Sequence, residues 1–185
     1  ALANAALKDS LVTNNRKTYR FNTSDTLSTY LFAFAAGKFT LAKGKVGNMM
    51  TDFLHRETDS LIIKNSLNEV FNIHSKSLNY LEQWTGIPYP FQKFGFVAIP
   101  DFQFGGMEHV GAIQYKSSAL FLDEGATKDQ LNGRNNLIAH ETAHMWFGDL
   151  VTMNWFTDVW MKEVFANFMA DKSMENITGK EAFDL

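Results

Sequence analysis

Residues 140–144 read His-Glu-Thr-Ala-His, and this spacing constrains the chain more than any other feature. On a helix, positions i and i+4 stand one above the other, so both imidazoles can reach one tetrahedral metal ion. Glu141 directly follows the first imidazole, close to such an ion but off the line of the ligands, where a general base is wanted. Two imidazoles do not complete a site, and a third ligand has to arrive from elsewhere. Glu163 is placed to supply it, nineteen positions after His144 on the next helical run, beyond a turn long enough to reverse direction. The pattern therefore asks for two helices folded back on each other. Three protein ligands leave a fourth position open, which is the arrangement of a catalytic zinc rather than a structural one, so one Zn2+ is the expected cofactor. Asn167, four residues past Glu163, reads either as a hydrogen-bond partner of that ligand or as a surface residue.

Around the motif the chain carries helix signals. Thr127 and Gln130 form a capping box that opens a helix expected to reach Phe147, with Gly148 as its C-terminal cap. Asp149 to Thr157 turns the chain, and Asp158 to about Met174 is the last helix. Upstream, Ser66 and Glu69 form a second box. Leu67, Val70, Phe71, His74, Leu78 and Leu81 then follow one helical face until Gly86 and Pro88 stop it. His74 on that stripe is either a packed, hydrogen-bonded histidine or a functional one.

The remainder reads as short strands. Phe94 to Asp123 contains FGFVAIP, FGGMEHVGAIQYK and SALFLD, and the first third contains Lys17–Phe21, Tyr30–Phe39 and a looser candidate over Lys45–Lys64. His55 in the last of these is a surface or strand histidine. The expected fold class is α+β, with a boundary between Phe39 and Ser66. A hydrophobic content of 45% with 20% charged residues excludes a disordered chain, and 17 Phe with 4 Trp supply a core. The net charge of -3 gives no footprint for nucleic acid, and no run of apolar residues is long enough to span a membrane. Zero cysteines exclude disulfides and thiolate metal sites. Oligomeric state leaves no mark in the sequence.

A second motif is Gly105-Gly106-Met107-Glu108-His109. Paired glycines in a strand allow a ligand or another chain to approach the backbone closely. Glu108 alone reads either as an ordinary exposed carboxylate or as a binding group. His109 is a further candidate ligand, although three ligands already complete the metal shell.

The stretch HETAHMWFGDLVTMNWFTDVWMKEVFA resembles the zinc signature of the aminopeptidase N family, the gluzincin aminopeptidases that include leukotriene hydrolase. GGMEH resembles the family's Gly-x-Met-Glu-Asn motif. YLFAFAAGKF resembles the end of its N-terminal β domain, and GIPYPFQKFGFVAIPDFQFGGMEH the run into its catalytic site. The similarity extends from about Phe21 to Lys172. It implies that residues 1–55 end an N-terminal β-sheet domain and that residues 56–185 form most of a thermolysin-like zinc metallopeptidase domain. It further implies zinc ligation by His140, His144 and Glu163, with Glu141 as general base. Glu108 would hold a substrate's free α-amino group, while Gly105, Gly106 and Met107 pair with the peptide backbone. Peptides with a free N-terminus are the implied partners.

Two departures stand out. His109 replaces the family's Asn, and Lys162-Glu163-Val164 replaces its Asn-Glu-Gly. The family also uses a Tyr well downstream of the third ligand and a helical C-terminal domain. Here no Tyr follows Tyr115, and the opening ALANAALKDS has neither Met nor signal peptide. The resemblance thus implies a window on a larger peptidase, weak or inactive by itself. Two alternatives remain: a thermolysin-like endopeptidase, which has no use for an amine-binding Glu108, and a non-catalytic zinc- or peptide-binding module.

Overall fold

The computed structural model describes residues 1–179; residues 180–185, the end of the segment expected to be catalytic, lie outside it. Four short strands come first: Leu2–Ala3 (β1), Leu7–Thr13 (β2), Arg16–Phe21 (β3) and Phe34–Ala35 (β4). β2 and β3 form a hairpin whose turn places Asn14 and Asn15 at positive φ, a conformation asparagine tolerates well. Of the strand expected over Tyr30–Phe39, only β4 exists, paired with β1. Asn4 explains the difference. Its side chain donates to the carbonyls of Leu31 and Val110 and accepts from Ala33 N–H, so these backbone groups are satisfied without a ladder.

Thr40–Val46 (β5) and Met49–His55 (β6) pair as an antiparallel hairpin turned at Gly47. The strand expected over Lys45–Lys64 is therefore two strand segments and the start of a helix, Ser60–Thr85 (α1). The capping box expected at Ser66 is a correction. Asp59 is the cap, accepting from the backbone N–H groups of Leu61 and Ile62. Ser66 lies about two turns past the cap, fully buried, where its hydroxyl bridges the N–H and C=O of Leu122. Ile62 and Ile63 carry strand propensity, but packing against the core decides the matter. Asp59→Ala is expected to lower stability by about 1 kcal/mol in denaturant unfolding, the usual cost of a lost N-cap.

Gly95–Ile99 (β7), Gly106–Met107 (β8) and Ile113–Lys116 (β9) complete a five-stranded mixed sheet in the order β5-β6-β7-β9-β8. β7 is parallel to both neighbours and buried nearly throughout, as a central strand should be. β8 is antiparallel to β9 and forms the edge. The expected strand SALFLD opens instead with a single helical turn, Ser117–Leu120 (α2). One sheet face presents Phe53, Phe96 and Tyr115 to the main core. The other presents Leu54 and Val97 to Leu2 and Ala35 of the N-terminal strands. His74 is a core histidine. Its Nδ1 donates to Val70 O at 2.7 Å, its Nε2 accepts from Tyr115 at 3.0 Å, and its ring stacks on Phe96. Burial pushes its pKa down to about 4, so it stays neutral. His55 is a buried strand residue in ring contact with Phe53 and Phe121.

Lys128–Ala143 (α3) and Val159–Thr178 (α4) carry the rest. The capping box of α3 forms as expected, with Gln130 N–H donating to Thr127 Oγ1 and Thr127 N–H to Gln130 Oε1. Regular helix ends at Ala143, sooner than expected. The chain continues to Phe147 in tighter turns, and Gly148 follows at φ 141°. Among the described residues no helix is long and apolar enough to cross a membrane. The fold is mixed α+β.

Candidate active site

Small residues bring α3 and α4 together. Ala139 of α3 packs on Ala170 and Met174 of α4, and Asn136 donates to Asp171 across the pair. Close approach of the two backbones places Glu163 opposite the histidines. His140 Nε2 and His144 Nε2 lie 3.0 Å apart, and Glu163 Oε2 stands 3.4 Å from the first and 3.5 Å from the second. These three groups fit a zinc ion. Ligands about 2.0–2.1 Å from a tetrahedral metal stand roughly 3.3–3.4 Å from one another, close to this triangle. The tautomer agrees, because His144 Nδ1 donates to Phe147 O at 3.0 Å and so leaves a lone pair on Nε2.

Glu141 lies on the buried side of this triangle. It is 3% exposed, and its Oε2 has no hydrogen-bond partner. Burial raises its pKa well above the usual carboxylate range, and the negative charges of Glu108 and Glu163 raise it further. Acceptor atoms of Glu108, Glu141 and His144 also lie within 4.8 Å of one another. That second set is the poorer zinc site, because it offers one imidazole where the first offers two.

Lys162 donates to Glu108 Oε1 in a short contact and to Glu163 Oε1 at 2.7 Å. Burial alone would lower its pKa, but the hydrogen bonds to both carboxylates outweigh burial and keep the ammonium charged. Burial likewise opposes ionisation of Glu108, and the contact with the Lys162 ammonium carries its pKa below the usual value. Glu108 is thus a buried, ion-paired carboxylate.

Gly106 and Met107 form the edge strand β8, whose second side carries no partner strand among the described residues. Gly105 accepts from Lys116 N–H just before it. His109 does not join the metal cluster. It sits against the Leu31 backbone, and burial lowers its pKa. Asn167 is exposed and makes no hydrogen bond to the triad; the neighbours of the ligands are Phe147 O and Lys162.

Three site residues escaped the sequence reading. Lys162 was visible only as a departure next to Glu163. Tyr30 lies over the same ammonium, 5.3 Å from its ring centroid, although it belongs to the N-terminal third. Asp149 is buried with both oxygens unpartnered, and burial raises its pKa well above the usual value. Neither has a local signal, since each is brought in by the fold.

Two imidazoles and a carboxylate thus converge from antiparallel helices, with a buried carboxylate beside them, as a donor set able to hold a metal ion. The model of the peptidase family M1 domain matches residues 69–184, more than half of the sequence. Over 176 residues the chain is 35% identical to "Probable aminopeptidase 2" of Sulfurisphaera tokodaii, covering 95% of this chain and 22% of that protein. It is 40% identical over 157 residues to the puromycin-sensitive aminopeptidase of Caenorhabditis elegans, covering 83% of this chain and 16% of that protein. With the tricorn protease-interacting factor F2 of Thermoplasma acidophilum it shares 35% identity over 170 residues, 89% of this chain and 20% of that one. The chain belongs to the peptidase family M1. It spans about a fifth of the length of these relatives.

Proposed function

We propose that the chain is the catalytic core of a zinc aminopeptidase that removes residues from peptides with a free N-terminus. The observation that carries this reading is the convergence of His140 Nε2, His144 Nε2 and Glu163 Oε2 beside the buried, unpartnered Glu141 Oε2. His140, His144 and Glu163 would hold one zinc ion, which when bound supplies a Lewis acid for the scissile carbonyl and makes water a better nucleophile. Glu141 takes a proton from the attacking water and returns it to the leaving amine, with its unpartnered Oε2 free to carry that proton between the two transfers. The edge strand at Gly105, Gly106 and Met107 offers backbone groups to an extended peptide, in the manner of strand addition. Glu108, ionised and buried, faces the peptide's α-ammonium, a charge that a mid-chain peptide bond cannot present.

The sheet also bears on the domain organisation. β5 and β6 lie in the same five-stranded sheet as β8, so the catalytic segment is best begun near Thr40 rather than at residue 56. Residues 1–39 then belong to the preceding β region.

The test compares peptides with free and acetylated N-termini, using the protein carrying this chain. The free peptide is expected to be cleaved severalfold faster. Equal rates on both would favour the endopeptidase alternative and remove the role given to Glu108.

A further inference from the structure

The ammonium of Lys162 occupies the carboxylate that the reaction reserves for a substrate's amine. Its side chain is 7% exposed and that of Glu108 is 4% exposed, so this is a buried ion pair and not a surface contact. A second carboxylate oxygen, Glu163 Oε1, lies 2.7 Å from Nζ, and the Tyr30 ring covers the ammonium. Two carboxylates and an aromatic face are the elements of an ammonium-recognition site. Here the bound ammonium is the chain's own. Lys162 is the one cation bonded to Glu108 among the described residues.

We propose that Lys162 is a specificity-determining residue, a tethered ammonium that competes with the substrate's N-terminal ammonium for Glu108. The inference rests on the aminopeptidase reading of Glu108. A tethered group acts at a high effective concentration, so an incoming N-terminus has to displace Lys162 before it meets the carboxylate. Lys162 keeps Glu163 Oε1 as a partner when displaced, which makes the exchange feasible without leaving a bare buried charge. An acylated N-terminus carries no charge and takes no part in the competition. Discrimination between free and blocked peptides is therefore smaller than Glu108 alone would give. Binding bears the cost.

The test uses the zinc-loaded protein carrying this chain, with leucinamide and N-acetyl-leucinamide as calorimetric probes. Lys162→Met keeps most of the stem and removes the charge, and Lys162→Gln keeps a polar head in case the first variant fails to fold; circular dichroism checks both. The variants are expected to bind leucinamide about tenfold or more tightly than the parent, the scale of a charge-assisted hydrogen bond, with N-acetyl-leucinamide unchanged. KM for a free peptide should fall. Adding Glu108→Gln to either variant should erase the gain. Unchanged or weaker leucinamide binding in folded variants overturns the proposal. Tighter amine binding in a protein that hydrolyses no peptide would support the tethered competitor and defeat the aminopeptidase reading instead.

Discussion

Glu141→Gln in the protein carrying this chain is expected to lower kcat by about 10²–10⁴, the usual contribution of a positioned general acid-base group. The amide is nearly isosteric but cannot take up a proton. Two observations make the loss specific. Glu141 Oε2 has no hydrogen-bond partner to keep it in a structural role, and the side chain is not one of the three convergent ligands. Zinc content should therefore stay at one ion per chain by elemental analysis, while peptide hydrolysis collapses. The change also removes a buried carboxyl whose ionisation is opposed by burial, so thermal stability should hold or rise. Hydrolysis that survives the substitution within about tenfold would falsify the role of Glu141. Zinc binding without hydrolysis in either protein would point to the binding-module alternative.

The metal triangle was legible in the sequence because its spacing is a helical rule. His140 and His144 meet through the i, i+4 geometry of α3, and Glu163 needs only a reversal of the chain. The start of α1 was misread because Ser66 and Glu69 satisfy a local pattern. Asp59 is the true cap, and Ser66 is instead drawn to the Leu122 backbone, 56 residues away in sequence. The candidate over Lys45–Lys64 joins β6 to the first turn of α1, because Ile62 and Ile63 look like strand residues when their packing partners are unseen. α4 lacks a clean apolar stripe. Trp160, Val164 and Phe168 are exposed and apolar, so polarity does not separate its two faces. The least legible feature is the Lys162–Glu108 pair. A lysine before the third ligand has no local sign that it will be buried, and only the meeting of α4 with the segment after β8 supplies its partner.

Gly106→Ala is expected to cost about a hundredfold in kcat although it adds a single methyl group, because the added carbon has no room except at the base. A Cβ at Gly106 would stand 2.2 Å from Glu141 Oε1 and 2.6 Å from its Cδ. Gly106 does not have a positive φ, so alanine is not excluded by the backbone. Its strand is held by β9, with Gly106 opposite Tyr115, itself fully buried. The flexible partner in the clash is the Glu141 carboxylate, which has to swing away from the position beside His140 and His144. Overpacking of this kind costs about 1–3 kcal/mol in stability, enough to see in denaturant unfolding but less than global unfolding requires. Gly133→Ala provides the contrast on α3, the helix that carries Glu141. A Cβ there meets nothing within 4 Å, so that variant should gain about 0.5–1 kcal/mol from helix propensity and keep its activity. If Gly106→Ala instead retains kcat within about threefold while still binding zinc, Glu141 does not need the position seen here, and proton transfer would have to be reassigned to another acid of the site.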